Sequence, residues 1–156
     1  EDQFVYEILK HTDKQISKED VIEAWNALLL DFKADRVDLI SRLHSSGRFQ
    51  TFLLSNTNGI HKTTYNEDLF RQYSKRLEDL FKTAYFSHEI GMRKPDHEIF
   101  RFVLEQEQLN PAETLFVDDS QVNITAAAEV GLATCHITDG LTITNLFGEP
   151  SIAKQI

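Results

Sequence analysis

Hydrophobic positions recur at helical spacing through the first third of the chain, and afterwards in short runs separated by turn residues. Phe4, Ile8 and Leu9 share one helical face. The segment "ISKEDVIEAWNALLLDF" continues that pattern, with Ser17 as N-cap and Asp20 three residues on. A third helix is predicted over about 35–46, where Val37, Ile40 and Leu43 share a face and Gly47 closes the run. The pattern then changes. "FQTFLLSN" (49–56) is an aromatic and aliphatic run ending in small polar residues, the form of a buried strand. A helical stretch predicted over about 66–81 leads to a second strand, "TAYFSHE" (83–89), and to a helix over 95–109 with Pro95 in its first turn. "TLFVDD" (114–119) reads as the third strand, 120–130 as a helix closed by Gly131, and "LATCHIT" (132–138) as the fourth strand.

Strands alternating with helices of this length predict an α/β fold with a parallel sheet. Residues 1–34 are helical throughout, and no Pro/Gly/Ser-rich linker separates them from residue 35 onward. They are expected to pack as a helical insert on an α/β core spanning 35–156. Trp25 with Ala24, Leu28 and Leu29 forms a helix face expected in the core. The chain opens on "EDQFVYEILK", already helical in pattern and without an initiator Met, so a longer parent protein is expected.

Composition narrows the classes of function. A length of 156 residues with 41% hydrophobic and 26% charged residues is that of one soluble globular domain. The net charge of −9 argues against nonspecific binding to nucleic acid or to an anionic membrane. Apolar runs of only a few residues leave nothing to span a bilayer. A single cysteine, Cys135, allows no internal disulfide and suits a reducing cytoplasm. It sits in an apolar strand and reads as inert.

Open parallel sheets bind ligands beyond the carboxyl ends of their strands. After the first strand come Ser55 and Asn56, after the second "GMRKPD" with Lys94, and after the third Asp118, Asp119 and Ser120. Ser55 alone reads as a turn residue and Lys94 alone as a solvated lysine. Two adjacent carboxylates at a buried strand end are costly, because like charges repel and desolvation disfavours both. A cation would offset that cost. Hard oxygen ligands suit Mg²⁺, which keeps several waters and bridges to phosphate. A hydroxyl, backbone N–H groups and an ammonium suit a phosphate dianion. His61, His88, His97 and His136 show no ligand spacing and read as surface or packing residues.

The order "FLLSNTN", "GMRKPD", "LFVDDSQVN" resembles motifs II, III and IV of the haloacid dehalogenase (HAD) superfamily. Within it, the sugar-phosphatase-like branch with a helical cap is the nearest likeness, over nearly the whole chain. The resemblance implies a three-layer, Rossmann-like parallel sheet, with residues 1–34 as the remaining part of the cap and 35–156 as the core. It implies Mg²⁺-dependent hydrolysis of small phosphate monoesters, sugar phosphates among them, through an aspartyl-phosphate. Ser55 would then bind the transferring phosphoryl group and Asn56 would shape its pocket. Lys94 would steady the nucleophile and the phosphoryl charge. Asp119 would ligate Mg²⁺ directly, Asp118 would support it, and Asn123 would reach the metal's outer shell.

Motif I of that family is a first strand ending in Asp-x-Asp, which supplies the nucleophile and a general acid/base. It has no counterpart here: "ADRVD" (34–38) lies in a predicted helix and "TDG" (138–140) comes after the last strand. The segment is expected upstream of residue 1. In the family that strand is central, so its neighbours would lack ladder partners on one side. The alternative is a catalytically incomplete phosphate- or Mg²⁺-binding chain acting through a partner. Two further readings are weaker. The dehalogenase variant needs no metal and gains nothing from Asp118 and Asp119. A phosphoacceptor receiver domain has its acidic pair before its Lys-Pro, the reverse of the order here.

Overall fold

A computed structural model describes residues 2–12 and 15–148. Its four strands form two parallel pairs. β1 (Phe52–Ser55) lies beside β2 (Thr83–Phe86) with Leu53 opposite Ala84, and β3 (Leu115–Asp118) beside β4 (Ala133–His136) with Val117 opposite Cys135. The predicted single sheet is therefore present as two halves, with no ladder joining β1 to β3 among the described residues. All four residues of β1 are only half-buried, against the expectation of a buried strand, because one of its edges carries no partner strand among the described residues.

Eight α-helices accompany the strands among the described residues: α1 (Asp2–Lys10), α2 (Lys18–Asn26), α3 (Ala34–Ser45), α4 (Gly59–Tyr73), α5 (Ser87–Ile90), α6 (His97–Gln106), α7 (Gln121–Glu129) and α8 (Ile143–Phe147). Side chains of a strand alternate between faces, and β1 uses this to hold two helical layers. Leu53 joins Val37 of α3, Leu69 of α4, Leu77, Leu80 and Phe86 on one side. Leu54 turns to the other, against Ile99, Phe100 and Leu104 of α6 and Ala126 and Ala127 of α7. Phe116 of β3 packs into that second cluster, its ring meeting Phe100 edge-on at 5.2 Å. The architecture is α/β in three layers, with helices on both faces of the parallel strands, as predicted.

Thr83 and Tyr85 face the α6 side as well. Glu107, at the C-cap of α6, accepts hydrogen bonds from Thr83 Oγ1 (2.6 Å) and the Tyr85 hydroxyl (2.7 Å), and pairs with Lys82 Nζ at 3.0 Å. Burial, then the Glu107 carboxylate beside it, pushes the Tyr85 hydroxyl up to about 12.

α1 and α2 pack on the start of α4 through Val5, Val21 and Ile60. α2 has the predicted capping box, with Ser17 Oγ accepting from Asp20 N and the Asp20 carboxylate accepting from Ser17 N. Beside this cluster an aromatic series links the layers: Trp25 lies 4.5 Å from Phe4 and 5.8 Å from His61, which is buried and donates Nε2–H to the Trp25 carbonyl at 3.2 Å.

Several expectations need correction. α2 stops at Asn26, so Leu28 falls beyond the helix and is 65% exposed, and Trp25 is 37% exposed on the rim rather than in the core. α4 begins at Gly59 because Asn58 caps it, its side chain accepting from His61 N, and it ends at Ser74 in a left-handed turn. The predicted 66–81 helix is thus shifted toward the N-terminus. Pro95 precedes α6, whose N-cap is Asp96, and α8 was not predicted. Among the described residues no helix is long and apolar enough to cross a membrane.

Candidate active site

Two strand ends and the loop after α5 converge on an open groove of about 520 Å³ that runs between β1 and β3. Ser55 reaches it as the last residue of β1, and Asp118 as the last residue of β3 with Asp119 just beyond. Lys94 comes from the loop after β2 and α5. Leu53, Leu54 and Val117 form the floor. A larger concavity of about 620 Å³, between α3 and α8, is lined by Asp35, Asp38 and Arg42 and gathers none of the strand-end residues.

An ion pair spans the groove. Lys94 Nζ donates to Asp118 Oδ2 at 2.7 Å, and both side chains are close to nine-tenths buried (11% and 7% exposed). The ammonium also lies 5.5 Å from the centre of the Phe116 ring, on the side of its cation-attracting face. Asp118 Oδ1 accepts from Ser120 N at 2.8 Å and from Asn123 Nδ2 at 3.0 Å. Burial opposes ionisation of Asp118. The donors Lys94, Asn123 and Ser120 outweigh it and hold the carboxyl below its ordinary value of 3.8.

Asp119 differs from its neighbour. It is exposed at the groove, and its carboxylate has no ion-pair partner among the described residues, while its backbone carbonyl accepts Nε2–H of His136 at 3.0 Å. Ser55 Oγ also lines the groove without a hydrogen-bond partner among the described residues. Both groups are available to an incoming ligand.

Asn56 lines the groove just beyond the end of β1. Its side-chain amide is engaged with the backbone of Lys94: Nδ2 donates to the Lys94 carbonyl at 2.8 Å, and Oδ1 accepts from Lys94 N at 2.9 Å. The next residue repeats the theme, with Thr57 N donating to Ser87 Oγ and Ser87 Oγ donating to the Thr57 carbonyl, each at 3.1 Å. Sequence reasoning had no signal for these links, since they join residues 30 and 38 positions apart. Asn123, at the start of α7, spends its donor on Asp118.

Divalent-metal fit can be judged from the donor set. Among the described residues no three His, Cys, Asp or Glu side chains converge, so a closed protein cage of the zinc kind is excluded there. Mg²⁺ asks for less, one or two carboxylates completed by water and phosphate oxygens. The unpaired Asp119 carboxylate beside Asp118 fits that requirement.

Comparison with known proteins agrees with this geometry. Residues 3–131 match the model of the haloacid dehalogenase-like hydrolases. A D-ribitol-5-phosphate phosphatase of Bacteroides thetaiotaomicron is 32% identical over 127 residues, 81% of this chain and 61% of that protein. A sesquiterpene phosphatase of Aspergillus oryzae is 48% identical over 63 residues, 40% of this chain and 32% of that protein. This chain thus spans about three fifths of the first relative's length, and less of the second. Among solved structures, a HAD family enzyme of Bacteroides thetaiotaomicron in complex with magnesium and inorganic phosphate superposes with a TM-score of 0.85 at 34% identity, covering 93% of this chain and 72% of that one. A HAD-like hydrolase of Porphyromonas gingivalis gives 0.83 at 27% identity, covering 99% and 72%. On the match over residues 3–131 and these likenesses together, this chain belongs to the haloacid dehalogenase-like hydrolase family.

Proposed function

We propose that the protein of which this chain is part hydrolyses small phosphate monoesters with the help of Mg²⁺, with the groove between β1 and β3 as its active site. The observation that carries this reading is the meeting of Ser55, Lys94, Asp118 and Asp119, drawn from two strand ends and the loop after α5, in one open groove. The likeness to a ribitol phosphate phosphatase, and to a HAD enzyme that binds magnesium and phosphate, supports the same chemistry and points to a phosphorylated polyol or sugar as substrate.

In this reading Ser55 Oγ donates a hydrogen bond to a non-bridging oxygen of the phosphoryl group. The Lys94 ammonium, held over the groove by Asp118, offsets the negative charge of the dianion. This stabilisation is strongest where charge builds up in transfer, and fixed donors need no reorganisation to supply it. Asp119 holds Mg²⁺ with Asp118 in support, and Asn123 holds Asp118 in place. When bound, the metal neutralises phosphoryl charge and helps fix the group for in-line attack.

The attacking group is a carboxylate outside the described residues. Asp118 is committed to three donors, and among the described residues no second acidic pair enters the groove. We place this carboxylate on an extended segment lying between the facing edges of β1 and β3, a position consistent with two half-sheets that share no ladder. Its oxygen attacks phosphorus, the ester P–O bond breaks, and the alcohol leaves with a proton from a neighbouring acid. Water then cleaves the acyl phosphate and returns the carboxylate with inorganic phosphate. The helices within residues 1–34 act as part of a cap that selects the organic portion of the substrate.

The test is phosphate release from D-ribitol 5-phosphate by the full-length protein, compared with Lys94→Ala. A loss of at least about 100-fold in kcat is expected, as for removal of one preorganised electrostatic partner. Turnover within a few-fold of the parent would remove Lys94 from the reaction.

A further inference from the structure

We infer that Asn56 is a positioning residue that serves the reaction through Lys94, and that its side chain does not bind the phosphate. The inference rests on the phosphatase reading above and deepens it. Three observations lead there.

The first is the geometry of the amide. A carboxamide has one acceptor and one donor end, and here each end meets the complementary backbone group of one residue, at 2.9 Å from Lys94 N and 2.8 Å from its carbonyl. Of its two N–H groups and two lone pairs, one of each is thus fixed on residue 94, which sets the orientation of the amide plane. The second is what this contact controls. Lys94 lies in a loop, without a helix or strand of its own to hold it. Its ammonium must nevertheless stay within 2.7 Å of Asp118, across the groove and on the other half-sheet. The third is the companion link. Thr57 and Ser87 join the same two chain segments at the far end of the stretch 87–94. The connection after β1 therefore holds that stretch at both of its ends, once at Ser87 and once at Lys94. The end nearer the chemistry is Asn56.

Catalytic groups held about 1 Å from their productive place lose about 100-fold in rate. Releasing the Lys94 backbone from Asn56 should act on that scale, and only while Lys94 is present to be misplaced. The experiment is a double-mutant cycle in the full-length protein, with p-nitrophenyl phosphate as substrate and saturating Mg²⁺: parent, Asn56→Ala, Lys94→Ala and both together. Asn56→Ala is expected to lower kcat by about 10- to 100-fold with KM within about 2-fold. In the Lys94→Ala background, the same change is expected to cost less than about 2-fold, because the group it positions is gone.

Losses that multiply across the two backgrounds, or a raised KM with kcat intact, would mean that Asn56 touches substrate directly and would overturn the inference. An unchanged kcat in Asn56→Ala would overturn it too. Asn56→Asp serves as the second variant should Asn56→Ala fail to fold. It keeps the acceptor for Lys94 N–H and replaces the donor to the Lys94 carbonyl by a repelling oxygen, so kcat should again fall at least about 10-fold with KM preserved, and parent-like kcat would count against the inference. A parent protein that releases no phosphate would defeat the phosphatase reading itself, and this inference with it. A parent that turns over while Asn56 shows no coupling to Lys94 would defeat the inference alone.

Discussion

Replacing Lys94 by Met removes the ammonium and keeps most of the stem that crosses the groove. The parent pair is 2.7 Å apart with side chains 11% and 7% exposed, so the variant leaves the Asp118 carboxylate buried with only its Ser120 and Asn123 donors. Removing one member of a buried pair costs about 3–5 kcal/mol. The groove is open to solvent on one side, and two of the three donors survive, which places the expected loss near the low end, about 3 kcal/mol. Asp118→Asn strands the ammonium instead, with a similar expected loss. The double variant leaves no buried charge and should lie within about 1 kcal/mol of the parent. Urea unfolding of all four proteins in EDTA-containing buffer gives the coupling energy directly. Strictly additive losses, or single losses below about 0.5 kcal/mol as for an exposed pair, would refute the picture of a buried link between the two half-sheets.

Asp119→Ala should abolish Mg²⁺ binding by the full-length protein in calorimetry while changing stability by less than about 0.5 kcal/mol, since its exposed carboxylate has no partner among the described residues to lose; retained affinity would clear Asp119 of metal binding. Tyr85 should resist ionisation to about 12 in ultraviolet titration. Its raised folded value means that the stability it contributes is present below the ordinary 10.0 and is lost as pH rises toward about 12, and Tyr85→Phe should flatten that part of the profile. Ile99→Ala should cost about 2–5 kcal/mol, because the side chain is fully buried between the α6 and α7 layer and the strands; a loss under about 1 kcal/mol would mean that this cluster is not a packed core.

Much of this molecule was legible in its sequence, for reasons that differ by element. The capping box at Ser17 and Asp20 is a local pattern, and α2 starts where it says. The strands at 52–55, 83–86, 115–118 and 133–136 fall inside the predicted runs because short apolar segments bounded by turn residues have few other fates. Ser55, Asp118 and Asp119 meet in one groove because strand ends of a parallel sheet face one edge, and the loop after α5 brings Lys94 to them. What stayed hidden depends on contacts distant in sequence. The end of α2 at Asn26, and with it the exposure of Leu28, could not be read from an unbroken apolar pattern. Nothing local distinguishes an asparagine that faces a ligand from one that grips a lysine backbone 38 residues away.

We propose a hydrolytic, Mg²⁺-assisted phosphatase site in the groove between β1 and β3. The most direct measurement is inorganic phosphate release from p-nitrophenyl phosphate and D-ribitol 5-phosphate by the full-length protein, with Mg²⁺ and with excess EDTA. Steady release is expected with Mg²⁺, at least about 100-fold slower once the metal is removed, on the scale of losing a main electrostatic partner of the transferring group. No release from either ester, or release indifferent to EDTA, would contradict it.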